Sequence, residues 1–158
     1  MVATRKFWKP FKWHGSMSAT DSGIKIFSLT TTSPQQTEQL GRLISRHCGR
    51  GDCIALSGDL GAGKTVFARG VIREKMSDDA EVTSPTFTLV QTYEIPGALP
   101  IWHFDLYRLE DGHELLETGL EEALEHGMTL MEWPEMAASW LPENTLKVGM
   151  LYGEGDAR

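Results

Sequence analysis

Residues 58–65 read Gly-Asp-Leu-Gly-Ala-Gly-Lys-Thr, a complete G-x-x-x-x-G-K-[ST] match, and no other stretch limits the fold so tightly. Gly61 and Gly63 permit backbone dihedrals that a Cβ forbids, so successive N–H groups can turn inward. Such a ring of N–H groups, backed by the positive end of the next helix, suits a β-phosphate. Lys64 supplies an ammonium for the β- and γ-phosphates, and the Thr65 hydroxyl is a hard oxygen ligand for Mg²⁺. A chance match in such a chain is expected on the order of once in a few hundred sequences, given ordinary glycine usage. Context lowers that further. The mainly apolar run 53–57 reads as a buried parallel strand leading in, and 66–76 reads as a helix leading out.

A phosphate loop of this kind needs an acid at the end of another strand to complete its metal site. Two candidates are present. Glu132 ends the apolar run 128–132, and Asp105 lies within the strand-like 101–106. Two carboxylates on neighbouring strand ends could divide the work, one holding Mg²⁺ and the other orienting an attacking water. His103 is expected to be a packed or hydrogen-bonded strand residue rather than a base.

The rest of the chain fits one α/β domain. Its 158 residues suffice for one core, and no apolar run is long enough for a membrane span. A short strand is expected near 23–29. Ser33 reads as a helix N-cap, with Pro34 first in the helix and Gln36 as its capping partner. Leu40, Leu43, Ile44 and Cys48 recur at helical spacing, and Gly49 is a candidate stop. Residues 87–93 and 101–106 read as strands with a short Pro/Gly loop between, hence an antiparallel hairpin inside a mixed sheet. Asp111 is placed to cap a helix to about 118, which Gly119 interrupts before a further helical piece at 120–126. Pro134 opens a short helix, and 145–152 reads as a last strand. The closing GEGDAR reads as a turn with no strand after it, as in a shortened C-terminus.

Charge is spread unevenly. The formal net charge is -7, yet residues 1–16 hold Arg5, Lys6, Lys9 and Lys12 and no acid, which leaves 11 basic against 22 acidic residues in the remainder. An acidic body disfavours direct binding to nucleic acid phosphates. Residues 1–16 are expected to be a tail, a cloning remnant or an extension ahead of Met17, with 17–158 as a single P-loop ATPase domain. The acidic run 110–125 reads as a solvated face. Trp133 and Trp140 are expected to be exposed, and Tyr107 with Arg108 could form a partner-binding edge. Cys48 and Cys53 match no zinc or redox spacing and read as two reduced thiols.

Three blocks in order, GDLGAGKT at 58–65, SPTFTLV at 84–90 with HFDLYR at 103–108, and MEWP at 131–134, strongly resemble the TsaE (YjeE) family over roughly residues 24–152. The resemblance implies a three-layer P-loop NTPase fold with a mixed central sheet containing a β-hairpin. It implies a cytoplasmic ATPase, weak alone, that serves tRNA threonylcarbamoyladenosine synthesis at adenosine 37 of ANN-decoding tRNAs. The partners implied are TsaB and TsaD, with tRNA reached only through them. It assigns Gly61 to Val66 to the nucleotide, Thr65 and Glu132 to Mg²⁺, and the second essential acid to Asp105. Lys64, Asp105 and Glu132 are the catalytic set. Thr86 falls where a switch-like loop senses the γ-phosphate, and Trp133 beside the metal acid. Pro34 and Gly155 fall near the places that flank adenine. Two other readings stay open: a small-molecule P-loop kinase, which the lack of Arg and Lys between Asp111 and Glu143 disfavours, and a nucleotide-dependent binding module with negligible catalysis.

Overall fold

The computed structural model describes residues 15–19, 25–111 and 114–153. The chain divides into two compact units, residues 1–32 and 33–158. In the first, β1 (Gly15–Ala19) pairs antiparallel with β2 (Lys25–Leu29). The strand expected near 23–29 is β2. β1 was not anticipated, because GSMSA offers small residues and no clear alternation. The expected boundary between 16 and 17 falls inside it, and residues 1–14 lie outside the described residues.

In the second unit, α1 (Pro34–Ser45) starts as its sequence directs. Ser33 is extended and its side chain accepts from the Gln36 N–H at 3.3 Å. β3 (Cys53–Gly58) leads into the glycine loop, and α2 (Lys64–Lys75) leads out of it. β4 (Val90–Tyr93) and β5 (Ile101–Asp105) form the expected antiparallel hairpin. α3 (Glu114–Glu117) and α4 (Leu120–His126) follow, then β6 (Met128–Glu132), a 3-10 turn at Pro134–Ala137, and β7 (Leu146–Met150).

The strands assemble in the order β4-β5-β6-β3-β7. β3 runs parallel to β6 and β7, and β5 parallel to β6, so only β4 makes the sheet mixed. The two-residue period of each strand sends alternate side chains to opposite layers. Ile54, Leu56 and Leu130 pack with Phe67, Val71 and Ile72 of α2, with Leu40 and Ile44 of α1 against them. Phe104 and Met131 face the other way, onto Leu115, Leu120, Ala123 and Ala137. Each large side chain fully buried here contributes about 1.5–3 kcal/mol. α1 and α2 lie close, because a Cβ on Gly70 would collide with the Glu38 carbonyl.

Several expectations change. The strand read at 87–93 begins only at Val90. Residues 86–89 are turn, with the Thr88 N–H on the Pro85 carbonyl and Leu89 at φ +62. A local turn after Pro85 outcompetes the β-propensity of Phe87 and Thr88. The chain reverses after α1 at Gly51, φ +76, rather than at Gly49. Of the helix read from Asp111, the described residues show the single turn of α3. Trp133 and Trp140 are half-buried against the second core cluster, not exposed, and the exposed aromatics include Phe87 and Tyr107. The described acids of the 110–125 run are solvated, as expected.

Candidate functional site

The loop sits at the carboxyl end of β3, where parallel α/β sheets place their ligands. Gly61 and Gly63 adopt φ +79 and +103, which opens the loop for the amides that follow. The Ala62 N–H is turned onto the Asp59 carbonyl at 3.2 Å. Lys64, only 4% exposed, opens α2. Its ammonium donates to the carbonyls of Gly58 (2.6 Å) and Asp59 (2.8 Å) and lies 3.8 Å from the centre of the Trp133 ring. Burial lowers its pKa below the ordinary lysine value, while Glu132, Asp105, Glu135 and Asp59 oppose that shift. Val66 follows in the first turn of α2.

Sheet register brings the two acids together. Leu56 of β3 aligns with Glu132, and Glu132 aligns with Asp105, so both carboxylates cap neighbouring strands beside the loop. Both are buried, at 2% and 3% exposure. Glu132 Oε2 accepts from the Thr65 hydroxyl at 3.1 Å, and its Oε1 lies 3.0 Å from His103 Nε2. Asp105 Oδ2 accepts from Thr86 Oγ1 at 2.6 Å and from the Ser84 hydroxyl, and Oδ1 accepts from the Tyr107 N–H at 3.1 Å. Ser84 and Thr86 are themselves 2.7 Å apart. The turn after Pro85 is thereby pinned to Asp105 through two hydroxyls.

Trp133 continues β6 with φ +57, a left-handed conformation that is strained for a bulky residue. It is held by its N–H on the Leu56 carbonyl (3.0 Å), by the Lys64 contact and by the Tyr107 ring, 4.9 Å away. Arg108 lies over the exposed Phe87 ring at 4.3 Å. Among the described residues no group of three or more His, Cys, Asp or Glu could hold a metal ion. Thr65 and Glu132 bring two hard oxygen donors together at 3.1 Å, a pair that could hold Mg²⁺.

Of the residues expected to act, Gly61 to Val66, Asp105, Glu132, Thr86 and Trp133 converge around one loop. Pro34 sits in the first turn of α1, which approaches the loop through Thr37, 3.8 Å from where a Gly63 Cβ would stand. Gly155 lies outside the described residues. Two partners were not singled out for the site. Ser84 sits inside the quoted SPT segment, but nothing in its spacing marks it as an Asp105 donor. Tyr152 donates its hydroxyl to the Leu60 carbonyl at 2.7 Å, a contact over 92 residues that only the fold reveals.

Comparison with known proteins gives a consistent result. The family model described as "Threonylcarbamoyl adenosine biosynthesis protein TsaE" matches residues 31–158. A tRNA threonylcarbamoyladenosine biosynthesis protein TsaE from Bacillus subtilis is 36% identical, over 85% of this chain and 84% of its own length. The protein of that name from Rickettsia conorii is 38% identical, over 77% and 69%. The one from Haemophilus influenzae is 40% identical, over 73% and 72%. Among solved structures, YdiB of Bacillus subtilis superposes with a TM-score of 0.58 at 32% identity, covering 75% of this chain and 72% of that one.

Proposed function

The chain belongs to the TsaE family, and from that premise we propose that it is the Mg²⁺-dependent ATP-binding and ATP-hydrolysing subunit of a threonylcarbamoyl-transfer system. Its place in tRNA threonylcarbamoyladenosine biosynthesis follows from the family. The modified base would be adenosine 37 of ANN-decoding tRNAs, and the chain would act through TsaB and TsaD rather than carry out the transfer itself. Among the described residues no helix is long and apolar enough to cross a membrane, and the proposed site of work is the cytoplasm.

One observation carries the ATPase reading: the Thr65 hydroxyl and the Glu132 carboxylate meet at 3.1 Å beside the glycine loop, with Asp105 in register next to them. The loop amides and the α2 N-terminus would grip the phosphates, and Lys64 would neutralise β- and γ-oxygens. Thr65 and Glu132 would hold Mg²⁺, which when bound supplies charge stabilisation on the transferring phosphoryl group. Asp105 would orient the attacking water and, through Ser84 and Thr86, tie that role to the loop expected to sense the γ-phosphate. The Trp133 ring, with Tyr107 packed against it, lies over the buried Lys64 and keeps bulk water from the ammonium.

Reconstitution tests the reading. With TsaB, TsaD, Mg–ATP and threonylcarbamoyl donor, multi-turnover modification of an ANN-decoding tRNA is expected to require this chain and to stall with Glu132→Gln. Equal product with and without the chain would remove the proposal.

A further inference from the structure

His103 is completely buried, yet the ATPase mechanism above gives it no task. It lies on β5 on the same side of the sheet as Asp105, aligned with Leu130, one step below the Asp105–Glu132 pair. Its Nε2 is 3.0 Å from Glu132 Oε1. In a neutral ring facing a carboxylate acceptor, that nitrogen carries the hydrogen and Nδ1 is left as an acceptor. Among the described residues Nδ1 has no hydrogen-bond partner. A buried acceptor without a donor carries a desolvation cost that an apolar side chain of similar size would not incur. The gain that offsets it lies on Glu132. One carboxylate oxygen is anchored by the imidazole, and the other is left directed at the Thr65 hydroxyl, 3.1 Å away. Without the anchor, the carboxylate could rotate about its last torsion or swing toward the Lys64 ammonium, its neighbour in charge.

We propose that His103 is a positioning residue that fixes the Glu132 carboxylate so that Oε2, together with Thr65, presents a preorganised oxygen pair to the nucleotide-bound Mg²⁺. The inference rests on the functional reading above and adds a residue to it. His103 touches neither nucleotide nor metal in this account and acts only through Glu132. Such outer contacts typically set metal affinity by about 10- to 100-fold.

Two substitutions separate positioning from packing. His103→Gln keeps an N–H donor within reach of Oε1, and His103→Leu keeps the volume without the donor. Titration of Mn²⁺ into protein with bound ATP, followed by electron paramagnetic resonance, reads metal affinity directly. ATP binding in EDTA is the control. His103→Leu is expected to weaken Mn²⁺ by about 10-fold or more, in the range such outer contacts set. His103→Gln should recover most of that loss, with metal-free ATP binding the same in all three proteins. Equal Mn²⁺ affinity in His103→Leu and wild type would overturn the inference, as would a Gln variant that falls as far as Leu.

If the Leu variant does not fold, nitrogen NMR of the wild-type imidazole decides. A protonated Nε2 with a bare Nδ1, both shifting when Mg–ATP is added, supports the assignment, and the opposite tautomer overturns it. A wild-type protein that binds no Mg–ATP at all would instead remove the functional proposal, so the two failures are distinguishable.

Discussion

Asp105 receives three hydrogen bonds, from the Ser84 and Thr86 hydroxyls on Oδ2 and from the Tyr107 amide on Oδ1. Asp105→Asn keeps an acceptor oxygen for the two hydroxyls, removes the negative charge and gives up the acceptor that Oδ1 offers the Tyr107 N–H. Turnover of ATP is then expected to fall by about 10²–10⁴, the usual worth of a positioned acid or base, while Mg–ATP affinity changes only a few-fold. Steady-state hydrolysis beside equilibrium binding checks this, and an unchanged rate would remove Asp105 from the chemistry.

Cys53 makes a second case at this scale. Burial raises its thiol from 9.0 to about 11, with a Thr145 hydrogen bond opposing. The folded state therefore holds a proton that the unfolded state gives up between about pH 9 and 11, so stability falls as pH rises through that window. The loss is roughly 2–3 kcal/mol at one pKa unit per 1.4 kcal/mol. Urea unfolding of Cys53→Ala and wild type at pH 8 and 11 should show the gap in stability shifting in favour of Ala at the higher pH. A constant gap would mean that the thiol is solvated.

At the scale of elements, much was legible because the signals were local. The capped start of α1, the strand before the loop, β6 with its terminal acid and the break at Gly119 all follow from a few neighbouring residues. What could not be read depended on distant partners. The turn at 86–89 is stabilised by Asp105 across the hairpin, so Phe87 and Thr88 looked like strand in isolation. Trp133 and Trp140 looked like surface residues because the cluster that half-covers them comes from α3, α4 and the 3-10 turn. For the site, residue identities were visible in the motifs. The two acids were also read onto neighbouring strand ends; what was not legible was their exact alignment, a matter of parallel register.

The α1–α2 contact gives a prediction of its own. Gly70→Ala drives a methyl into the Glu38 carbonyl, and neither helix backbone can move aside cheaply. A loss of about 1–3 kcal/mol is expected, read as a lower urea midpoint at unchanged slope. Because α2 begins at Lys64, the same shift should weaken Mg–ATP binding. Native-like stability in that variant would contradict the close packing.

For the whole molecule, the layered sheet delivers a glycine loop, an ammonium, a hydroxyl and two acids to one edge, and the family places that assembly in tRNA modification. The reconstitution described above tests the outer part of the account. At the proposed site the loop and Lys64 would grip the phosphates, and Thr65 and Glu132 would hold Mg²⁺. Calorimetric titration of Mg–ATP into wild type and Lys64→Ala measures that grip directly. Charge-assisted hydrogen bonds contribute about 1.5–3 kcal/mol each, so saturable binding by the wild type and a loss of roughly 10-fold or more in Lys64→Ala is the expected result. Equal affinity in the two proteins, or no heat of binding in either, would contradict it.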